Sequence, residues 1–278
     1  MTGSTIKSGG LLQSLHSFQA NRIELSRSLI RLSTGQRINR GADDPAGLIS
    51  SNRLSAALAV LEAENQSLQR TNHVANTAEG ALDEVSSLLS DSRGLEVQLA
   101  NSGALSSDEQ AAIQQQIDAN TQAIDRITAN AGFNGQSLFN GSVSLNAGGE
   151  TLDLPSLSSH ELGATDLNGQ TYHLSDTASG GALTGDAAGS SQVLENAIIE
   201  VASLRGQIGA FQMNTVGSTL TANQIAYENL AEARSMIADT DFASEIVTLN
   251  RLSILDKASL KALSIISRTS DHMLDLLS

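Results

Sequence analysis

Five histidines, His16, His73, His160, His173 and His272, are the first candidates for metal ligation or proton transfer. A zinc site gathers its ligands from close pairs such as His-Glu-x-x-His, and these histidines are scattered without one. Asp239, Asp241 and Glu245 resemble the opening of a calcium loop, but the remaining ligands and the central Gly of an EF-hand do not follow. Asp43-Asp44 is an adjacent carboxylate pair that could do acid–base work near a turn. Nothing around it supplies a pocket or orienting partners, and a carboxylate just before Pro45 suits helix capping better. Gly148-Gly149 and Gly180-Gly181 lack the strand–helix frame and the Lys of a phosphate loop, and no GxSxG is present. The chain has no cysteine, which excludes thiol catalysis and disulfides. No catalytic residue, metal or cofactor is expected, and the chain reads as no enzyme.

The acids make sense as punctuation between long helices. Leu11, Leu15, Phe18, Leu25, Leu29 and Leu32 recur at threes and fours, with Arg22 in the one missing slot, and predict a helix over Leu11–Ser33 after a flexible 1–10. Thr34-Gly35 closes it, and a basic elbow of Gln36, Arg37, Asn39 and Arg40 leads to Asp43-Asp44-Pro45, where a second helix begins. That helix runs towards Ser102, with Leu54, Leu58, Leu61, Leu68 and Ala75 on one seam and Ala78, Leu82, Val85 and Leu89 after a phase shift. Ser107-Asp-Glu-Gln110 reads as a capping signature. It opens a shorter helix with Ile113, Ile117, Ile124 and Ile127 on one face and Asn120 as a polar gap, predicted to fold back on the second helix.

Beyond Ala131 the character changes. Residues 133–190 contain no Lys or Arg, and Val143/Leu145 and Leu152/Leu154 alternate about Ala147-Gly148-Gly149 as in a β-hairpin. Asp166–Leu174 reads as a second turn-and-strand pair and Thr177–Ser191 as loop. Helical spacing returns near Gln192 with Leu194, Ile198, Val201, Ile208 and Phe211, then Leu220, Ile225, Leu230, Ala233 and Ile237. A last helix after Asp239-Thr240-Asp241 carries Leu252, Leu255, Ala262, Ile266, Met273 and Leu276. The expected fold is mainly α: an elongated bundle of long antiparallel helices, with paired N- and C-terminal coiled-coil helices and a small insert containing a β-hairpin.

Composition agrees. With no Trp, five Phe and two Tyr, the chain must bury aliphatic seams instead of aromatic cores. A net charge of −14 disfavours nucleic acid and anionic membrane, and no apolar run is long enough to insert in a bilayer. Residues 1–60 hold seven Lys/Arg against three acids, a charge of +4, which leaves −18 for 61–278. The N-terminus has no apolar h-region, so no secretory signal peptide is read there. Both terminal seams lack enough neighbouring chain to cover them, which points to burial against other copies.

These residues resemble bacterial flagellin, the subunit of the flagellar filament. The resemblance rests on Leu32-Ser-Thr-Gly-Gln-Arg37-Ile-Asn39 with Asp43-Asp44-Pro-Ala-Gly47-Leu48; on Thr77-Ala-Glu-Gly-Ala-Leu82; and on Ile124-Asp-Arg-Ile127 with Phe133-Asn134-Gly135. In the C-terminal half it rests on Leu204-Arg-Gly-Gln-Ile-Gly-Ala210 and Ala233-Arg-Ser-Met-Ile-Ala-Asp239-Thr-Asp241-Phe242-Ala243. It covers about 1–140 and 192–278. It implies an inner-tube helix and elbow at 1–44, the N-terminal half of a rod at 45–141 and a variable surface insert at 142–191. The C-terminal half of the rod follows at 192–240, and a second inner-tube helix at 241–278. It also implies that the termini are disordered in the free subunit. Implied partners are many copies of the chain, cap and hook–filament junction proteins, and an export chaperone on the C-terminal helix, with export through the flagellar type III apparatus. Asp91, beside Arg93 and Leu95, stands where the family's immune-receptor patch carries Arg, which implies weak recognition by that receptor. A hook–filament junction protein is the nearest alternative, and the Phe133 and Asp241 blocks favour the filament. A signalling coiled coil would show unbroken heptads without the β segment, and an enzyme within 142–191 has no constellation to work with.

Overall fold

Helical spacing governs most of the chain, and six α-helices result. The structure, a computed structural model, describes residues 2–101, 103 and 105–275, with side chains described over 12–101, 103, 105–265 and 268. The helices are α1 (Thr2–Thr34), α2 (Pro45–Ala100), α3 (Ser107–Asn130), α4 (Ala187–Ala210), α5 (Gly217–Ala238) and α6 (Phe242–Asp275). Between α3 and α4 lie three antiparallel strand pairs: β1 (Gly132–Phe133) with β2 (Gln136–Ser137), β3 (Asn140–Ala147) with β4 (Glu150–Ser156), and β5 (Thr165–Leu167) with β6 (Gln170–Tyr172).

Several boundaries differ from the sequence expectation. Helix α1 begins at Thr2 and not at Leu11, running through a Ser, Thr and Gly stretch whose own helix propensity is low. Helix α3 is capped by Ser106, not Ser107: Glu109 N donates to Ser106 Oγ (3.3 Å) while Ser106 N donates back to Glu109 Oε2 (2.7 Å). Residues 187–191 are helix and not loop. Asp186 accepts from Gly189 N at 3.1 Å to start α4, and the small residues that follow have no apolar period to announce it. The β1–β2 hairpin was not expected. Its turn, Asn134-Gly135, has both residues at positive φ (52° and 81°), the geometry that a two-residue hairpin turn requires.

The expected hairpin does form, with Val143 opposite Leu154 and Leu145 opposite Leu152 about the Gly148-Gly149 turn. Between α4 and α5 the helix passes without a break through a π-helical segment, Phe211–Val216, in which Gly217 N donates to Gln212 O. The wider turn lets Phe211 and Val216, five apart, share the buried side. A strict three-four reading skips Val216.

The chain forms two compact units, residues 1–60 with 226–278, and residues 61–225. The division between these units falls within α2 and α5, and the elbow is fastened both to the start of α2 and to the end of α5. In the 61–225 unit, Arg205 on α4 pairs with Glu79 (2.8 Å) and Asp83 (2.9 Å) on α2, and Arg93 on α2 meets Glu195 on α4 at 3.2 Å. Gln212 Nε2 donates to Asn72 and Asn76 Oδ1, both at 2.9 Å. Partners that fall in α2 as they rise in α4 mark the two helices as antiparallel. Asn120 fills its polar gap by donating to Ser92 Oγ at 3.1 Å, which ties α3 back onto α2.

The core of this unit joins Leu68, Ala75, Ala78, Leu82, Val85 and Leu89 of α2 to Ile124 of α3 and to Leu194, Val201 and Ile208 of α4. Leu145, Leu154, Leu157, Leu162 and Leu174 belong to the same cluster. The 142–191 segment is therefore a wall of the core and not an appendage on its surface. Asp125 fixes it by accepting from Ser159 N (2.7 Å) and Ser159 Oγ (2.8 Å).

Candidate assembly interface

The elbow is assembled from short-range bonds that its residue types dictate. Gly35 takes φ 72° at the end of α1, a conformation that costs Gly nothing. Asp43 Oδ2 accepts from the backbone N–H groups of Asn39 (3.1 Å) and Arg40 (2.9 Å). The Arg40 N–H bond is the main reason its carboxyl lies below the ordinary value of 3.8; desolvation opposes it, and the Asn39 N–H, Arg31 and Arg27 assist. Asn39 Nδ2 closes the turn onto Gln36 O at 2.7 Å. Asp44 caps α2 by accepting from Gly47 N at 2.8 Å. Gly47 has no room for a side chain, as a Cβ there would lie 2.7 Å from Ile38 Cδ1 and against the Asp44 carboxylate.

A second set of bonds fastens this elbow to the α5–α6 joint. Arg37 donates through Nε (3.2 Å) and Nη2 (2.5 Å) to Ile237 O, and its backbone N to Ala238 O at 2.7 Å. Thr240 N donates to Gly35 O at 2.9 Å, so Gln36 and Asp239 form an antiparallel bridge. Asp241 caps α6 by accepting from Ala243 N (3.0 Å) and Ser244 N (3.3 Å). The Phe242 ring lies beside Gly35 and is half exposed. Arg37, Asn39, Asp43, Asp44, Gly47, Asp239, Asp241 and Phe242 thus meet in one joint. Phe133, at the end of β1, and Asn134-Gly135, the β1–β2 turn, lie in the other unit.

From this joint α1 and α6 run antiparallel: Arg31 faces Glu245 at 3.8 Å, and Asn21 Nδ2 donates to Leu252 O at 3.3 Å. The inward line of α1 is Phe18, Asn21, Leu25, Ser28 and Leu32, alternately three and four apart. Only Ser28 on it is fully buried. Leu15 and Leu29, read from sequence on the same seam, point away instead, and Leu29 is 51% exposed. On α6 Leu252 is buried, whereas Leu255 (47% exposed) and Ala262 lie open. The expected single seam is therefore split: one half closes the pair, and the other half lies bare with Leu12, Ile23, Ile254 and Leu260. Asn21 and Ser28 are polar and so give no apolar signal in the sequence. Their three-four spacing was the available signal. The side chains of Leu11, Ile266 and Met273, and residue Leu276, lie outside the described residues.

A groove of about 780 Å³ lies between α1 and the elbow. Its apolar wall is Leu15, Phe18, Ile23 and Ile30, and Arg22, Arg27, Arg31 and Arg40 stand around it. Arg22 lies over the Phe18 ring at 5.8 Å, a cation–π distance. Asp91 is exposed on α2, Arg93 is engaged with Glu195, and Leu95 is half-buried. Among the described residues no group of His, Asp or Glu is placed to hold a metal ion, and no helix is long and apolar enough to cross a membrane.

Comparison with known proteins places this arrangement in a family. Residues 11–144 match the bacterial flagellin N-terminal helical region, and residues 191–277 the bacterial flagellin C-terminal helical region. The flagellar filament 30.7 kDa core protein of Treponema maltophilum is 30% identical over 275 residues, covering 93% of this chain and 94% of that protein. A flagellin of Bacillus subtilis is 29% identical, covering 96% of this chain and 97% of its own length. A flagellin of Halalkalibacterium halodurans is 32% identical, covering 90% and 91%.

Proposed function

The chain belongs to the bacterial flagellin family, and on that footing we propose that the open faces of α1 and α6 are where its copies join. It is a structural protein and not an enzyme: copies polymerise into the filament of the extracellular flagellum. The observation that supports the interface is the bare half-seam of Leu15, Leu29, Leu255 and Ala262. By spacing, Leu11, Ile266, Met273 and Leu276 extend it. Phe18, Leu25, Leu32 and Leu252 hold the pair together from within. Leu15, Leu29 and Leu255 are each about half exposed, so burying the rest of each against a neighbour contributes roughly 1 kcal/mol, repeated in every subunit.

In this reading the terminal pair belongs to the inner tubes of the filament, and the helices of the 61–225 unit belong to its rod. The pair is thin, so α1 and α6 order firmly only when neighbours cover them. Before assembly the same face of α6 is the site for an export chaperone. At the ends of the filament the pairs meet cap and junction proteins. Export runs through the flagellar type III apparatus. Asp91, where the resemblance calls for Arg, makes this chain a weak ligand for the animal flagellin receptor, and Asp91→Arg raises its potency in a reporter-cell assay.

The test is seeding. Purified subunit is added to short filament fragments and examined by sedimentation and negative-stain microscopy. Filaments that lengthen in proportion to added subunit are expected, and a subunit that stays in the supernatant under all seeding conditions rejects the reading.

A further inference from the structure

Resting on the filament reading, we propose that the groove between α1 and the elbow receives the acidic ridge of α5 from a second copy of this chain. The groove offers an apolar wall, Leu15, Phe18 and Ile23, with cations at its edge. Arg22 and Arg40 have no ion pair among the described residues, and Arg40 bonds within the elbow only through its backbone. On α5, Ile225, Asn229, Glu232 and Met236 recur at four, three and four and so share one face, with Glu228 on its flank. All five are exposed, Ile225 at 56% and Met236 at 72%. Among the described residues neither Glu228 nor Glu232 has an ion pair.

The two surfaces match in pattern as well as in sign. The ridge has an apolar residue at each end and carboxylates between, and the groove has apolar residues along its wall and guanidiniums at the edge. Arginine suits this partner, since its planar fork takes a carboxylate in two bonds and tolerates partial desolvation. Groove and ridge are different patches of one chain. A contact between them is head-to-tail: each subunit that docks its ridge leaves its own groove open for the next. Such an interface propagates without closing and generates a helical polymer, whereas a self-complementary patch stops at a dimer.

The absence of native cysteine makes the test direct. Arg40→Glu and Glu232→Arg are made singly and together in the full chain, and seeded assembly is read by sedimentation. Each single reversal is expected to cut the pelleted fraction at least tenfold, and the double variant to return it to within about twofold of native. In parallel, Arg40→Cys with Glu232→Cys is expected to give a ladder of disulfide-linked multimers on oxidation of assembled filaments and monomer only on oxidation of free subunit. Single reversals that pellet like the native chain, or filaments of the double-cysteine chain that yield no ladder, overturn the contact while leaving the filament reading intact. A native chain that never pellets overturns both.

Discussion

Leu82 in α2 and Leu29 in α1 obey the same three-four rule and meet opposite ends. Leu82 is wholly buried within the 61–225 unit, in a core that α2, α3, α4 and the strand segment all supply. Leu29 is 51% exposed on a helix whose single long partner, α6, covers only one side. Periodicity specifies a face but not what covers it. Where enough chain folds back, the face is closed inside the subunit. Where it does not, the face remains available to a neighbour. One unit is thus closed as it stands, and the other leaves half of its seam open.

The strongest way to break that contrast is one substitution in each unit. Leu82→Asp places a carboxylate in a dry core with no partner, a cost of several kcal/mol, and is expected to abolish cooperative thermal unfolding and, with it, assembly. Leu29→Asp and Leu255→Asp alter exposed positions and should move subunit stability by no more than about 0.5 kcal/mol. They should nevertheless abolish filament formation, because the charge is buried afresh at every subunit contact. Melting by circular dichroism and pelleting after seeding separate the two quantities. Normal filaments from both Asp variants would mean that the bare half-seam is ordinary surface.

Excising residues 142–186 sharpens the contrast from the other side. From sequence the segment reads as a tolerant insert, and loops do accept length changes cheaply. Here it supplies Leu145, Leu154, Leu157, Leu162 and Leu174 to the core, and Ser159 to the Asp125 clasp. The excised chain is expected to lose cooperative melting, while replacing only the Gly148-Gly149 turn by a longer Gly/Ser loop should leave melting nearly unchanged. Retained cooperative melting in the excised chain would return the segment to the status of an appendage.

What was legible follows from the kind of signal each element has. Helices α2 and α6 and the β3–β4 hairpin could be read because apolar spacing and a Gly-Gly turn are local properties of the sequence. The first turns of α4 could not, since Ala187-Ala-Gly-Ser-Ser191 carries no period and its start depends on the Asp186 side chain. Val216 was missed because a π turn changes the period itself. At the interface the leucines were legible as a group. Their division into inward Leu25 and outward Leu29 was not, because it depends on where α6 lies. The elbow and its capping acids are local signals in the sequence, and their work becomes visible only when Arg37 and Ile237, 200 positions apart, are brought together.

A smaller effect tests that joint. Gly47→Ala forces a methyl group against Ile38 and the Asp44 cap, and overpacking of this kind costs about 1–3 kcal/mol. Arg37→Ala removes two bonds to Ile237 O from a half-exposed site, where solvent screening holds the loss near 1 kcal/mol. Both are expected to speed proteolysis within 1–60 and 226–278 and to leave the rate in 61–225 unchanged. Equal acceleration in both units would show that the joint supports the whole fold and not its own unit.

The smallest expected effect is also the one in which the two units should respond in opposite directions, since each holds a carboxylate shifted away from the other's. Asp43, in the elbow, is held low chiefly by the Arg40 N–H, so its ionised form is the one the native joint favours. Its folded value lies below the unfolded one. The stability it contributes is therefore present above the unfolded value, near 3.8, and is lost as pH falls through the folded value. Glu96, at 4% exposure in the other unit, is pushed up first by desolvation and then by Asp186, with a Ser190 hydrogen bond opposing. Its native environment favours the protonated form. That contribution is fully present below the ordinary value of 4.5 and is lost as pH rises through the raised folded value. Acidification from neutral pH should thus relieve the 61–225 unit at Glu96 before it weakens the elbow at Asp43. Hydrogen exchange resolved by segment, measured from pH 7 downward and corrected for intrinsic rates, reads each site separately. Protection around Glu96 and Ser190 is expected to rise on mild acidification, and around Asn39 and Arg40 to fall only at lower pH. Glu96→Gln should remove the first change, and Asp43→Asn the second. Protection that falls at both sites together, or a Glu96→Gln chain that still gains protection, would mean that the buried carboxyl does not set the local stability of its unit.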